Sequence, residues 1–269
     1  FTNYHNNITS ADHYVVGQER QHYMDKFPNI IAKIIENKPH RIFGETFPPE
    51  ITKEIEQYVP LWKHIKARPK YFSHALKVLF FFGAKGVKTP LHYDIEHPSL
   101  LHLCLSGRKK FILFTQKSSS NLYQDPYTSD SSLQYLDNNL VEDLYPKFKQ
   151  AQGYEVILNC GDMLFMPRNC WHYTEYLSPS SAACYAFYPN KYHQILGYFS
   201  GSALLAFRPT MLNIPSWKIY QRFRNRFNKA KPVELVAYKI FIKLTKPIIF
   251  FGLFLYTKIH LAFNNKKIY

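Results

Sequence analysis

His92 and Asp94, in Thr89-Pro90-Leu91-His92-Tyr93-Asp94, stand two residues apart. On a β-strand that spacing puts both side chains on one face, an imidazole beside a carboxylate, which is the beginning of a metal site. A third ligand must come from elsewhere, and the best placed is His172, at the end of Gly161-Asp162-Met163-Leu164-Phe165-Met166-Pro167-Arg168-Asn169-Cys170-Trp171-His172. Two histidines and one carboxylate with open positions form the ligand set of non-haem Fe(II) oxygenases. A zinc hydrolase can use it too. An H-x-D pair alone is weak evidence, and a lone His92 reads as a hydrogen-bonded structural histidine.

The elements that must position these residues are β in texture. Leu76–Phe82 is a run of mostly apolar residues closed by the turn signal Gly83-Ala84-Lys85-Gly86. Strands are expected at 88–94, 99–105, 109–115, 154–159, 163–167, 171–177 and 182–188, short and evenly spaced as in a sandwich or barrel. A polar excursion, 116–139, interrupts them, and a long loop inside a compact β domain is often functional. It is expected to cover the pocket mouth. Residues 140–150 read as a short helical turn. Before the strands, 1–18 show no usable period, and 18–37 carry a helical apolar face (Phe27, Ile30, Ile31, Ile34, Ile35) with Pro28 as an alternative start. A second helix is expected at 49–58, and 60–75 read as a packed connector. After them, 191–206, 214–228 and 232–263 return to helix. The expected units are therefore 1–75, a helical flank; 76–190, the β core; and 191–269, a basic helical region.

A chain of 269 residues can bury a sizeable core. Its net charge of +15 is unevenly placed. From Lys191 onward there are 14 Lys and Arg against the single acid Glu234, whereas the first 190 residues carry 20 basic and 18 acidic side chains. The tail, not the core, is the basic element, and it points to an anionic partner such as nucleic acid or a membrane surface. A solvated lysine-rich tail is the plainer reading. Cys104, Cys160, Cys170 and Cys184 form no C-x-x-C pair, so neither a zinc knuckle nor a disulfide framework is suggested. A reducing, cytoplasmic compartment is expected, with peripheral association at the inner face of a membrane as the variant. The chain opens on Phe1, which is compatible with an upstream segment or a removed signal.

Four stretches in order carry a resemblance. They are Phe82 to Asp94; Gly107-Arg108-Lys109-Lys110-Phe111-Ile112-Leu113-Phe114; Asp143-Leu144-Tyr145-Pro146-Lys147-Phe148; and Gly161-Asp162 to Trp171-His172. Together they resemble the cupin-like JmjC hydroxylases, Fe(II)- and 2-oxoglutarate-dependent oxygenases that include the asparaginyl hydroxylase acting on hypoxia-inducible factor. The resemblance implies a double-stranded β-helix (cupin or jelly-roll) core, mostly β with flanking helices. It implies that His92, Asp94 and His172 hold Fe(II), that 2-oxoglutarate and O2 are the co-substrates, and that Lys109 and Thr89 take the distal carboxylate of 2-oxoglutarate. An ammonium there gives a charge-assisted hydrogen bond, and a zinc hydrolase would not need these two residues. A slip of one residue among Arg108, Lys109 and Lys110 would turn Lys109 outward. Tyr185 aligns with an Asn near the metal and is expected at the cofactor. Tyr93 reads as pocket wall, Trp171 as core, and Cys170 as a buried, inert thiol. Asn169-Cys170 departs from the family's Gly-Trp.

The resemblance implies hydroxylation of an unactivated C–H, foremost of a protein or peptide side chain. A modified tRNA base bound through the basic tail is a second reading. A lipid-linked substrate is a third, because Pro247–Thr257 is an uncharged run of 11 residues, too short to span a bilayer, which takes about 20, but able to lie in its interface. A homodimer through the C-terminal helices competes with both. A non-catalytic binding module of the same fold is the alternative of a different class.

Overall fold

The computed structural model describes residues 7–12, 22–58, 78–133, 136, 144–205 and 216–264. The expected connector at 60–75, Asp143 and most of 134–143 lie outside them. Eleven strands and five α-helices are seen in this order: β1 (Asn7–Asp12), β2 (His22–Lys26), α1 (Phe27–Ile35), β3 (His40–Glu45), α2 (Pro49–Tyr58), β4 (Val78–Gly83), β5 (Lys88–His92), β6 (Ser99–Ser106), β7 (Arg108–Phe114), β8 (Gly153–Asn159), β9 (Met163–Met166), β10 (Trp171–Tyr176), β11 (Ser180–Phe187), α3 (Lys191–Leu205), α4 (Ser216–Lys229) and α5 (Pro232–Asn264). All the strand pairs are antiparallel. They make a seven-stranded sheet, β2-β1-β3-β4-β11-β6-β9, and a four-stranded sheet, β5-β10-β7-β8. From β4 to β11 the chain passes back and forth between the two layers, with only β7 and β8 successive in one sheet, as in a jelly roll.

The seven core strands fall within one or two residues of the expected limits. In the N-terminal flank residues 22–26 are strand and the helix starts at Phe27, one residue from the alternative start at Pro28. Pro28 is the reason: in the first turn its missing N–H costs nothing, but a helix running back through it would set its ring against the Met24 carbonyl. Strands β1 and β3 carry no apolar alternation that would announce them, and they extend the larger sheet. The helix α1 then buries Phe27, Ile30 and Ile34 against Ile42, Phe47, Phe80 and Phe82. Each such side chain contributes about 1.5–3 kcal/mol.

The β6–β7 turn shows why Gly107 opens the second motif. Its φ is +71°, and a Cβ there would meet the Pro179 carbonyl oxygen at 2.2 Å, so only glycine fits. The Ser178 and Ser180 hydroxyls accept the Arg108 amide. The start of β7, and with it the register of Lys109, is thereby held.

Candidate metal centre

Strands β5 and β10 lie side by side with His92 directly opposite His172, and their rings stand 4.2 Å apart between centroids. Asp94 lies just past the end of β5, not on it as expected, yet its carboxylate still turns back to the same point. Its Oδ1 is 3.8 Å from His92 Nε2, and one ligand atom from each of the three residues falls within 4.8 Å of the others. The histidine tautomers follow from the hydrogen bonds. His92 Nδ1 is 2.7 Å from the Pro90 carbonyl and His172 Nδ1 is 3.1 Å from the Cys170 carbonyl. A carbonyl can only accept, so each Nδ1 carries the proton and each Nε2 lone pair is left for a cation. Two imidazole nitrogens and a carboxylate oxygen on one side of an open space fit a divalent iron.

Lys109 faces into the same barrel. It is 4% exposed, and its Nζ rests over the rings of Tyr176 at 4.6 Å, Phe111 at 5.1 Å and Phe81 at 5.5 Å. The register pairs Lys109 with Tyr176 and Lys110 with Glu175. The period of 2 then sends Lys110 the other way, to a 2.8 Å ion pair with Glu175. Among the described residues no carboxylate pairs with Lys109. Burial lowers its pKa from 10.5 to about 7. An ammonium held dry without a counter-ion is costly.

Thr89, 7% exposed, lies on β5 opposite Thr174. Its Oγ1 accepts a 2.8 Å hydrogen bond from Arg41 Nη1, which also reaches the Lys88 carbonyl. With that oxygen engaged as acceptor, the Thr89 proton remains free to be donated. Sequence reading missed Arg41, which lies 48 residues upstream on β3, and no local signal marks it. Tyr185 is fully buried in the cluster that contains Phe80, Phe82 and Tyr176. Burial, with the nearby Asp94 charge, pushes the Cys170 thiol up to about 11, so it stays protonated, as expected of an inert thiol. Asn169 has φ +59°, the left-handed conformation that asparagine tolerates better than most residues. Its side chain meets His97 Nδ1 at 2.5 Å, a tie that a glycine could not make.

The polar excursion lies against the metal strand. Ser129 and Ser131 exchange backbone hydrogen bonds with Tyr93 and Leu91, and Trp171 Nε1 donates to Ser119 Oγ at 2.9 Å. From its other side the excursion is tied to the C-terminal helices. Arg224 on α4 pairs with Asp125 at 2.7 Å, and Tyr127 shares a 2.7 Å hydroxyl bond with Thr245 on α5.

The model of the cupin-like domain matches residues 5–194. JmjC domain-containing protein D of Dictyostelium discoideum is 37% identical over 106 residues, 37% of this chain and 22% of that protein. Human HSPB1-associated protein 1 is 34% identical over 102 residues, 37% of this chain and 21% of that protein. The matched stretch thus spans about a fifth of these curated relatives. A solved structure of YcfD, a ribosomal oxygenase from Escherichia coli in complex with cobalt and 2-oxoglutarate, is similar at TM-score 0.44 and 12% identity, over 74% of this chain and 44% of that one. The family match covers well over half of the chain, which therefore belongs to the cupin-like domain family, of the JmjC type.

Proposed function

We propose that this chain is an active hydroxylase in which His92, Asp94 and His172 hold Fe(II), Lys109 and Thr89 hold the distal carboxylate of 2-oxoglutarate, and the substrate is a protein or peptide side chain. The observation that carries the reading is Lys109, a buried cation without a carboxylate partner among the described residues, in the same barrel as an intact triad. A degenerate binding fold would have no reason to keep so costly a group. Iron and 2-oxoglutarate, when bound, supply the oxidising power that places an oxygen atom of O2 on a C–H bond.

The protein's own part is positioning. The Pro90 and Cys170 carbonyls orient the two imidazoles, Arg41 orients the Thr89 hydroxyl, and the aromatic walls around Lys109 exclude water. Tyr185 is proposed to close the pocket from β11. The 116–133 segment, lying along β5, forms the rim over which a substrate segment enters. A protein substrate is supported by a relative named for its association with another protein.

The C-terminal helices are proposed to pair with a second copy. Val233, Ile240, Leu244, Ile248 and Phe251 are exposed along one side of α5, spaced as a helix seam. Lys239, Lys243 and Lys246 form a stripe that flanks this seam by the 3.6-residue period. No helix among the described residues is long and apolar enough to cross a membrane. Sedimentation of the full chain, with liposomes and tRNA as competitors, separates dimer, lipid and nucleic-acid readings.

Purified protein with Fe(II) should convert 2-oxoglutarate to succinate and add 16 Da to its substrate, a shift read by mass spectrometry. His92→Ala should lower succinate formation by more than about 100-fold, beyond the cost of losing an outer hydrogen-bond partner. Unchanged turnover in that variant would sink the site assignment.

A further inference from the structure

Between the Lys109 anchor and the metal triad the barrel is not apolar. Along the four-stranded sheet three cross-strand pairs follow one another on the inward face: Lys109 with Tyr176, Phe111 with Thr174, and Leu113 with His172. Thr174 therefore stands midway between anchor and metal, opposite Thr89 on its other side. It is 3% exposed, and its hydroxyl oxygen has no hydrogen-bond partner. On the facing sheet His102, from β6, occupies the matching height. Its ring packs at 5.0 Å on Phe111 and 5.8 Å on Phe81, the two rings that also carry Lys109 Nζ. It is 4% exposed, and its Nε2 is likewise without a partner. Burial first, then the charges of Lys109 and His172, hold the imidazole well below its ordinary pKa, so it is a neutral hydrogen-bonding group close to both.

Two buried polar atoms without partners, on the facing sheets of one barrel, cost the protein free energy. A dicarboxylate lying between Lys109 and the metal has acceptor sites to spare, since each carboxylate offers about four, more than Lys109, Thr89 and a metal can use. We infer that His102 and Thr174 are further co-substrate-binding residues, a polar waist that donates to the carboxylate oxygens of 2-oxoglutarate bound between Lys109 and the triad. The inference rests on the 2-oxoglutarate reading proposed above.

Calorimetric titration of the Mn(II)-loaded protein with 2-oxoglutarate tests it without turnover. Thr174→Val, which keeps the shape and removes the hydroxyl, and His102→Phe, which suits the aromatic walls, should each weaken 2-oxoglutarate binding about three- to tenfold, the loss of one hydrogen bond. Thr174→Ser should bind like the native protein. Without co-substrate, Thr174→Val should melt higher than the native protein, because an unsatisfied buried group has been removed; a residue with only a structural role would melt lower. Unchanged affinity in both Thr174→Val and His102→Phe would overturn the assignment, and so would Thr174→Ser binding no better than Thr174→Val. Failure of the native Mn(II) protein to bind 2-oxoglutarate would instead overturn the parent reading, and this one with it, before any variant is compared.

Discussion

In the barrel the polar side chains are inside and the apolar ones enclose them, whereas on α5 that order is reversed. His92, His172, Thr89, Arg41 and Lys109 are each below a tenth exposed, while Val233, Leu244 and Ile248 are 84%, 69% and 74% exposed. Both arrangements are unfavourable for the isolated chain, for opposite reasons. A buried ammonium lacks a counter-charge, and an exposed apolar seam lacks cover. On the reading proposed above, the barrel would take a small anion and a metal, and the helix a second copy of the chain. The two regions meet through the 116–133 segment, where Asp125 and Arg224, Tyr127 and Thr245, and Ser132 and Asn228 are joined, and through Ile95, which packs in one cluster with Phe250.

The comparison is most sharply broken at Lys109. Lys109→Met should weaken 2-oxoglutarate binding roughly ten- to hundredfold, the worth of a hydrogen bond to a charged group, while stabilising the ligand-free protein. The pH dependence follows from the lowered value of about 7 against an ordinary 10.5. Between them the unfolded chain holds a proton that the folded chain has released. Stability of the ligand-free protein therefore rises with pH through that window, and the penalty is at its full size below about 7. Lys109→Met should abolish this rise in melts taken from pH 6 to 10. Co-substrate binding, which needs the ammonium, should weaken as pH rises above about 7, again only in the native protein.

A smaller effect is expected at the junction. Arg224→Met leaves the Asp125 carboxylate buried at 4% side-chain exposure. Breaking a buried pair costs about 3–5 kcal/mol, and the partial exposure of Arg224 puts the expected loss near the lower end. Hydrogen exchange at Ser129 and Ser131 should speed up while that in β7 does not, and succinate formation should fall a few-fold. Equal exchange in both places would show that the segment does not link the two regions. The smallest effect on the barrel is expected from Leu244→Glu. It should leave metal binding and turnover unchanged while shifting the sedimenting species to the monomer, and an unshifted species would remove α5 from the interface.

Much of the core was legible because its signals are local. Thr89 to Asp94, Gly107 to Phe114 and Gly161 to His172 each join a turn to a strand within a dozen residues, so β5, β7, β9 and β10 were found at nearly their observed limits. The N-terminal flank was not legible in the same way. Residues 22–26 continue a helical-looking stretch that Pro28 terminates from the far side, and β1 and β3 are strands because of what they pair with. Arg41 illustrates the same limit in the site itself. Its bond to Thr89 depends on β3 joining the sheet beside β4, a matter of topology and not of neighbouring sequence.

Residue types and their order by themselves picked out His92, Asp94 and His172, which the structure brings together, and the division between a nearly neutral core and a basic tail. Only the tertiary structure decided which of three consecutive basic residues faces the pocket, since side chains alternate along a strand and one step of register exchanges Lys109 for Lys110. It also decided which histidine nitrogens are left for a cation, through carbonyls two residues away in the bent backbone. The two buried atoms that wait between anchor and metal, His102 Nε2 and Thr174 Oγ1, belong to strands of different sheets. Nothing in the spacing of residues 102 and 174 places them in one barrel; the packing of the two sheets does.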